Sequence, residues 1–141
     1  MTTLKSVSNI MTTSPVVGNT ANKFSQLLRL FTEFPVHHLP IVDNDNKLIG
    51  IVSTNDLPKV FLTLCNRPKP ISMTAEILDK EINIADIMTP NPVSISSKAP
   101  VQDALKIFTQ NKFTALPVVD DGTLVGILSL KDVMAYANTV V

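Results

Sequence analysis

Residues 48–56 read L-I-G-I-V-S-T-N-D, and residues 124–132 read L-V-G-I-L-S-L-K-D. Each is a short apolar run around a glycine, then a serine, then an aspartate three positions later. A run of this length, rich in Ile, Val and Leu, suits a buried strand. Ser53 with Asp56, and Ser129 with Asp132, then fall where a helix can begin. A serine followed three residues on by an acidic residue is a capping box, here with Asp in place of Glu. The same helix start offers free N–H groups and a partial positive charge, which can hold a phosphate. A carboxylate beside it accepts hydrogen bonds from hydroxyl groups. Capping and ligand contact use one geometry, and the spacing alone leaves both open.

Outward from this pair the chain repeats itself. Ile10-Met11-Thr12-Thr13-Ser14-Pro15-Val16-Val17 matches Ile87-Met88-Thr89-Pro90-Asn91-Pro92-Val93-Ser94 at an offset of 77 residues. Leu39-Pro40-Ile41-Val42-Asp43 matches Leu116-Pro117-Val118-Val119-Asp120 at the same offset, which becomes 76 from Gly50 and Gly126 onward. The lost residue falls in a polar turn, where a hairpin tolerates it. The organisation expected is a repeat over 1–66, a linker over 67–82 and a second repeat over 83–141. Two such copies should pack about a pseudo-twofold axis, with equivalent clefts at their junction.

Within each repeat the pattern predicts an α/β (α+β) fold: a short lead-in turn, then β-α-β-β-α. The first strand is expected at Val16-Val17 and at Val93-Ser94-Ile95. Phe24, Leu27, Leu28, Phe31 and Phe34 line one face of a helix over about 21–34, for which Thr20 is the expected cap. Val101, Ala104, Leu105 and Phe108 form the second stripe, with Ser97 as the expected cap. Leu57, Val60, Phe61 and Leu64 mark the last helix of repeat one; Val133, Met134 and Tyr136 mark that of repeat two. Residues 73–78 suit a helix inside the linker.

The 141 residues carry 12 Lys plus Arg against 12 Asp plus Glu. That balance, without basic clusters, argues against nucleic acid as a partner. No apolar run approaches the ~20 residues of a membrane span. A single cysteine, Cys65, precludes an internal disulfide, and the cytoplasm is the expected compartment. The sequence shows no nucleophile–base pair, phosphate-binding loop or metal-ligand cluster. His37 and His38 are adjacent and point to opposite faces of a strand. Catalysis is not expected.

Taken together, I-M-T-x-x-P-V, the amphipathic helix, h-x-x-L-P-V-V-D and G-h-h-S-x-x-D resemble a tandem pair of CBS domains, a Bateman module, over almost the whole chain. The resemblance implies a regulatory module that binds adenosine compounds (AMP, ADP or ATP, or S-adenosylmethionine) in clefts between the repeats. It implies a homodimer that signals to a separate effector protein by changing inter-repeat geometry. The alternative is a dimerisation or docking scaffold with empty clefts. By position, Asp56 and Asp132 match the family's ribose-binding aspartate. Ser53 with Thr54, and Ser129, match its ribose or phosphate contact. Thr12 and Thr89 match a threonine that meets the nucleotide, although a hydroxyl there can equally bond its own backbone. Pro15, Val16, Pro92 and Val93 lie in segments that can offer backbone groups to the base. V-H-H-L-P resembles the I-H-R-L-P of the regulatory gamma subunit of AMP-activated protein kinase, so His37 and His38 stand at phosphate positions. Thr114 and Ala115 replace them in the second copy. Lys131 keeps a family cation that Asn55 lacks. Two unequal sites are therefore expected.

Overall fold

The computed structural model describes residues 5–69, 73–111 and 113–139; part of the expected linker, 70–72, lies outside them. In chain order the elements are a 3-10 turn (Val7–Asn9), β1 (Thr12–Thr13), β2 (Gly18–Asn19), α1 (Phe24–Glu33), β3 (His38–Val42), β4 (Leu48–Ser53), a 3-10 turn (Thr54–Asp56), α2 (Leu57–Cys65), α3 (Ala75–Glu81), α4 (Ile84–Ile87), β5 (Thr89–Pro90), α5 (Val101–Gln110), β6 (Ala115–Asp120), β7 (Thr123–Ser129) and α6 (Leu130–Thr139). They form two compact units. Unit 1 is Met1–Pro15 with Val93–Val141, and unit 2 is Val16–Pro92. Unit boundaries therefore differ from repeat boundaries: the lead-in of each repeat belongs to the unit built by the body of the other.

Unit 2 holds a sheet in the order β2-β3-β4-β5. Phe24, Leu27, Leu39, Ile41, Val52 and Ile84 close its core. On α1 the expected stripe faces inward through Phe24 and Leu27, with Leu28 and Phe31 half-buried, while Phe34 lies past the helix end and is exposed. The helix begins at Phe24 rather than residue 21, and Thr20 does not cap it. The Asn19 N–H donates to Asn22 Oδ1 and the Ala21 N–H to Asn19 Oδ1, each at 2.8 Å, which closes residues 19–22 into a turn. The capping carboxylate comes from the linker helix α3. Asp79 accepts the backbone N–H and the hydroxyl of Ser25, both at 2.7 Å. These bonds, the backbone one first, hold the Asp79 carboxyl below its ordinary 3.8. The first strand forms at Gly18–Asn19, two residues later than expected. A Cβ at Gly18 would stand 2.8 Å from Ile41 Cδ1, so glycine marks where this edge closes on β3.

Unit 1 holds the sheet β1-β7-β6. The strand expected at 93–95 reduces to a bridge between Ile95 and Val118. Ser97 is no cap for α5. It is buried, and its hydroxyl and N–H donate to Asp120 at 2.5 and 3.1 Å. Pro100 stands at the N-cap instead. Val101, Ala104 and Phe108 are buried, whereas Leu105 is 40% exposed and drops out of the stripe. On α6, Val133 is buried and Tyr136 half-buried, but Met134 is 61% exposed. The lead-in is bound tightly: Val7 is fully buried in this core, its N–H donates to the Ala99 carbonyl at 2.8 Å, and the Val101 N–H donates to the Lys5 carbonyl at 3.0 Å.

The two hairpins explain the change of offset. Asp121 and Gly122 both have positive φ, 52° and 81°, the requirement of a tight two-residue hairpin turn. The first copy uses a longer turn closed by the Asp43 carboxylate, which accepts the N–H groups of Asp45 and Lys47 at 2.9 and 3.0 Å.

Candidate functional site

Each glycine of the opening motif is a seat for a methionine of the other repeat. Thr12 and Thr13 of β1 pair with Ile127 and Gly126 of β7; Thr89 and Pro90 of β5 pair with Ile51 and Gly50 of β4. A Cβ at Gly126 would stand 2.7 Å from the Met11 sulfur and 2.8 Å from the Thr12 carbonyl oxygen. A Cβ at Gly50 would overlap the Met88 sulfur. Glycine is needed here for close approach rather than for unusual φ.

This pairing brings the expected site residues into two sets. In unit 1 the set is Thr12, Thr114, Ala115, Ser129, Lys131 and Asp132. In unit 2 it is Thr89, His37, His38, Ser53, Thr54 and Asp56. Each set combines both repeats. Leu124, Gly126 and Leu128 turn toward the core, so Ile127 and Ser129 share the other face of the sheet. Thr12 lies opposite Ile127, and Ala115 opposite Ser129. In unit 2, Thr89 lies opposite Ile51 and His38 opposite Ser53. A threonine and a serine thus stand diagonally across neighbouring strands on one face, about 7–8 Å apart. Pro15 ends one unit and Val16 begins the other; Pro92 and Val93 divide in the same way. Just before these junctions, Ser14 and Asn91 hold φ of 50° and 47°. Left-handed backbone at matching non-glycine positions is the kind of strain that collects at functional sites.

At the helix starts the capping boxes form. The Ser129 N–H donates to Asp132 Oδ2, and the Asp132 N–H donates to Ser129 Oγ, both at 3.0 Å. In the first copy Asp56 Oδ2 accepts the Ser53 N–H at 2.8 Å and the Ser53 hydroxyl at 3.1 Å. In both, Oδ2 is engaged while Oδ1 has no partner among the described residues. The hydroxyls of Thr12 and Thr89 likewise make no hydrogen bond among these residues, and both threonines are exposed. The carbonyls of His37 and Thr114 accept the N–H groups of Thr54 and Leu130, at 2.9 and 2.8 Å, which fixes the strand end against the helix start. His38 is half-buried. Burial holds its imidazole below the ordinary 6.5, with His37 adding to the effect and Asp56 opposing it.

One feature of unit 2 has no signal in the sequence. A groove of about 340 Å³ runs between α2 and α4. Its walls carry Asp56, Lys59 and Arg67 on one side and Glu81 and Asp86 on the other. Arg67 is paired with Glu81 at 2.7 Å. Among the described residues no group of three or more potential metal ligands gathers, and no helix is long and apolar enough to cross a membrane.

Two copies of one α/β unit, each ending in a serine–aspartate helix start and each completed by the other's lead-in, define a duplicated-domain protein. The CBS domain model matches residues 7–62 and 84–138, and the chain belongs to the CBS-domain family as a tandem pair. The CBS domain-containing protein CBSX1, chloroplastic, of Arabidopsis thaliana is 32% identical over 128 residues, which cover 79% of this chain and 54% of the relative. The crystal structure of Arabidopsis CBSX2 in complex with AMP is 29% identical with a TM-score of 0.79, covering 96% of this chain and 97% of that one. The inosine-5'-monophosphate dehydrogenase of Methanocaldococcus jannaschii is 28% identical over 131 residues, which cover 91% of this chain and 22% of the enzyme. The chain spans about half the length of the CBSX relatives it matches.

Proposed function

We propose that this CBS pair is a non-catalytic sensor that binds adenosine nucleotides at the Asp56 and Asp132 sites. The observation that carries the reading is the Oδ1 of each aspartate, which has no partner among the described residues while Oδ2 is held. A carboxylate fixed through one oxygen presents the other as an acceptor, and a ribose cis-diol supplies donors to match. The threonine hydroxyls of Thr12 and Thr89 and the backbone after Ser14 and Asn91 complete a polar rim for phosphate and base. CBSX2, at 29% identity, was solved with AMP, which supports the ligand class. A bound nucleotide shifts the arrangement of the repeats only by preferring one arrangement over another. In this reading the chain works in the cytoplasm as a homodimer and passes the change to an effector protein.

Thermal melts of the whole chain with AMP, ADP, ATP or S-adenosylmethionine test this. A ligand at a hundred times its Kd adds about 2.7 kcal/mol of stability, an upward Tm shift of several degrees. The Asp56→Ala plus Asp132→Ala chain should lose that shift. If no adenosine compound moves Tm at millimolar concentration, the sensor reading fails and a docking scaffold takes its place.

A further inference from the structure

Two of the chain's five methionines occupy matching seats. At Gly126 the three atoms nearest an added Cβ would be the Met11 sulfur at 2.7 Å, the Thr12 carbonyl oxygen at 2.8 Å and Met11 Cγ at 3.2 Å. At Gly50 they would be the same three kinds of atom: the Met88 sulfur, Met88 Cγ and the Thr89 carbonyl oxygen. Each sulfur therefore lies against a glycine with no room for a further atom between them. The strand after each methionine, β1 or β5, has two residues and pairs at two positions. Pairing this short is marginal in water without apolar packing behind it. Met11 supplies that packing against the core of unit 1, and Met88 against the core of unit 2.

Both side chains are half-buried, which leaves them open to a small oxidant. Met73 and Met134 offer a contrast within the same chain. They are 41% and 61% exposed, and neither is among the atoms closest to Gly50 or Gly126.

We propose that Met11 and Met88 are oxidation-sensitive latches, at which hydrogen peroxide forms the sulfoxide and releases β1 and β5 from their sheets. In each reaction the sulfur lone pair bonds to one peroxide oxygen and the O–O bond breaks. The other oxygen leaves as water with both peroxide protons. Sulfur gives up two electrons, and the peroxide takes them. The product is a polar side chain where a flexible apolar one had been. Its new oxygen is an acceptor, and the carbonyl oxygen beside each seat is another acceptor, which repels it. The sulfoxide either stays without a donor, which is unfavourable, or swings out and leaves the glycine bare. Thr12 and Thr89 leave with their strands. A methionine sulfoxide reductase, which removes the oxygen as water at the expense of thiols, resets the latch. The latch acts on the lead-ins, whatever the aspartate sites bind.

Titration of the whole chain with hydrogen peroxide tests it, with peptide mass spectrometry to place each sulfoxide and with thermal melts and amide exchange to follow the fold. Sulfoxide at Met73 and Met134 should form first and leave Tm almost unchanged. Sulfoxide at Met11 and Met88 should accompany a drop of several degrees and faster exchange along β7 and β4. Methionine sulfoxide reductases of both stereospecificities should restore Tm. Dithiothreitol alone, which reverses disulfide or sulfenic acid formation at the exposed Cys65, should not. The Met11→Leu plus Met88→Leu chain should keep its own Tm under the same peroxide. Should that chain not fold, norleucine in place of every methionine keeps the side-chain length without the oxidisable sulfur and gives the same comparison. Full conversion of Met11 and Met88 with Tm and exchange unchanged would overturn the latch. So would a peroxide-driven drop that survives the leucine or norleucine replacement, or seats that stay unoxidised until the whole chain unfolds.

Discussion

Replacing Gly126 by alanine should loosen β1 from the sheet of unit 1, and should do so more severely than the matching change at Gly50 loosens β5. Neither glycine has positive φ, so alanine's own backbone preferences do not enter. What matters is the added methyl. At Gly126 it would lie 2.8 Å from the Thr12 carbonyl oxygen and 2.7 Å from the Met11 sulfur. A methionine can swing aside, because its side chain is unbranched and flexible. A strand carbonyl cannot move without the strand. At Gly50 the Thr89 carbonyl stands at 3.1 Å and the closest atom is the Met88 sulfur, so rotation of the methionine relieves most of the overlap. Overpacking of this kind costs about 1–3 kcal/mol. The Gly126 change belongs at the upper end, near 3 kcal/mol, and the Gly50 change at the lower end, near 1 kcal/mol. For a chain of this size each kcal/mol lowers Tm by roughly 3–4 °C, giving drops of roughly 10 °C and roughly 3 °C. Thermal melts supply the comparison, and hydrogen exchange along β7 reports whether β1 has left. If Gly126→Ala is the milder of the two, or both melt with the native chain, the packing argument is wrong.

Further outcomes follow from the same contacts. Val7→Ala should destabilise unit 1 by roughly 2 kcal/mol, seen in denaturant melts, because two methyl groups leave a fully buried site. Ser14→Gly should raise Tm by a degree or two by relieving a left-handed serine, and Asn91→Gly should gain less, since asparagine tolerates that conformation. Asp79→Ala should lower Tm by exposing the start of α1, while Asp79→Asn should lower it less because an acceptor for the Ser25 N–H remains. Asp79 also sets a pH dependence. Its carboxyl lies below 3.8 when folded, so its contribution is present above that value and is lost as pH falls through the depressed one. Melts of the native chain and of Asp79→Asn between about pH 2 and about pH 6 should therefore converge at the acid end.

Most of the architecture was legible in the sequence because the duplication doubled each weak signal. A hydrophobic run around one glycine is ambiguous; the same run twice, at matched distance from I-M-T and L-P-h-V, is not. The core stripe of α1, Phe34 apart, and the helix-start aspartates follow from periodicity and spacing, and lie where that reading places them. The failures are local and share a cause. Thr20 and Ser97 look like helix caps to any rule that reads forward along the chain. In the fold Ser97 is held by Asp120, 23 residues further on, and α1 is capped by Asp79, 54 residues away. Long-range partners of this sort leave no local trace. Leu105 and Met134 sit at helical spacing yet are exposed, because periodicity marks a helix face and not how much of that face neighbouring elements cover. The exchange of lead-ins was also invisible, since a repeat alignment reports similarity and says nothing of which copy a segment packs against.

That exchange has a consequence for the sites. Thr12 belongs to repeat one and Asp132 to repeat two, yet Thr12 is held beside the strand that leads into Asp132 only while Met11 lies on Gly126 and β1 pairs with β7. The Asp56 site has the same logic with Met88, Gly50 and Thr89. A ligand that contacts both the threonine and the aspartate therefore gains affinity from a two-residue strand whose own hydrogen bonds are too few to fix it without packing. By linkage, such a ligand must stabilise the strand's attachment by the same free energy that the attachment lends to binding. The Gly126→Ala chain should accordingly bind AMP more weakly at the Asp132 site, and saturating AMP should restore part of its lost Tm. Weakened binding without any such restoration would mean that the ligand never touches the lead-in, and that the aspartate acts without the threonine.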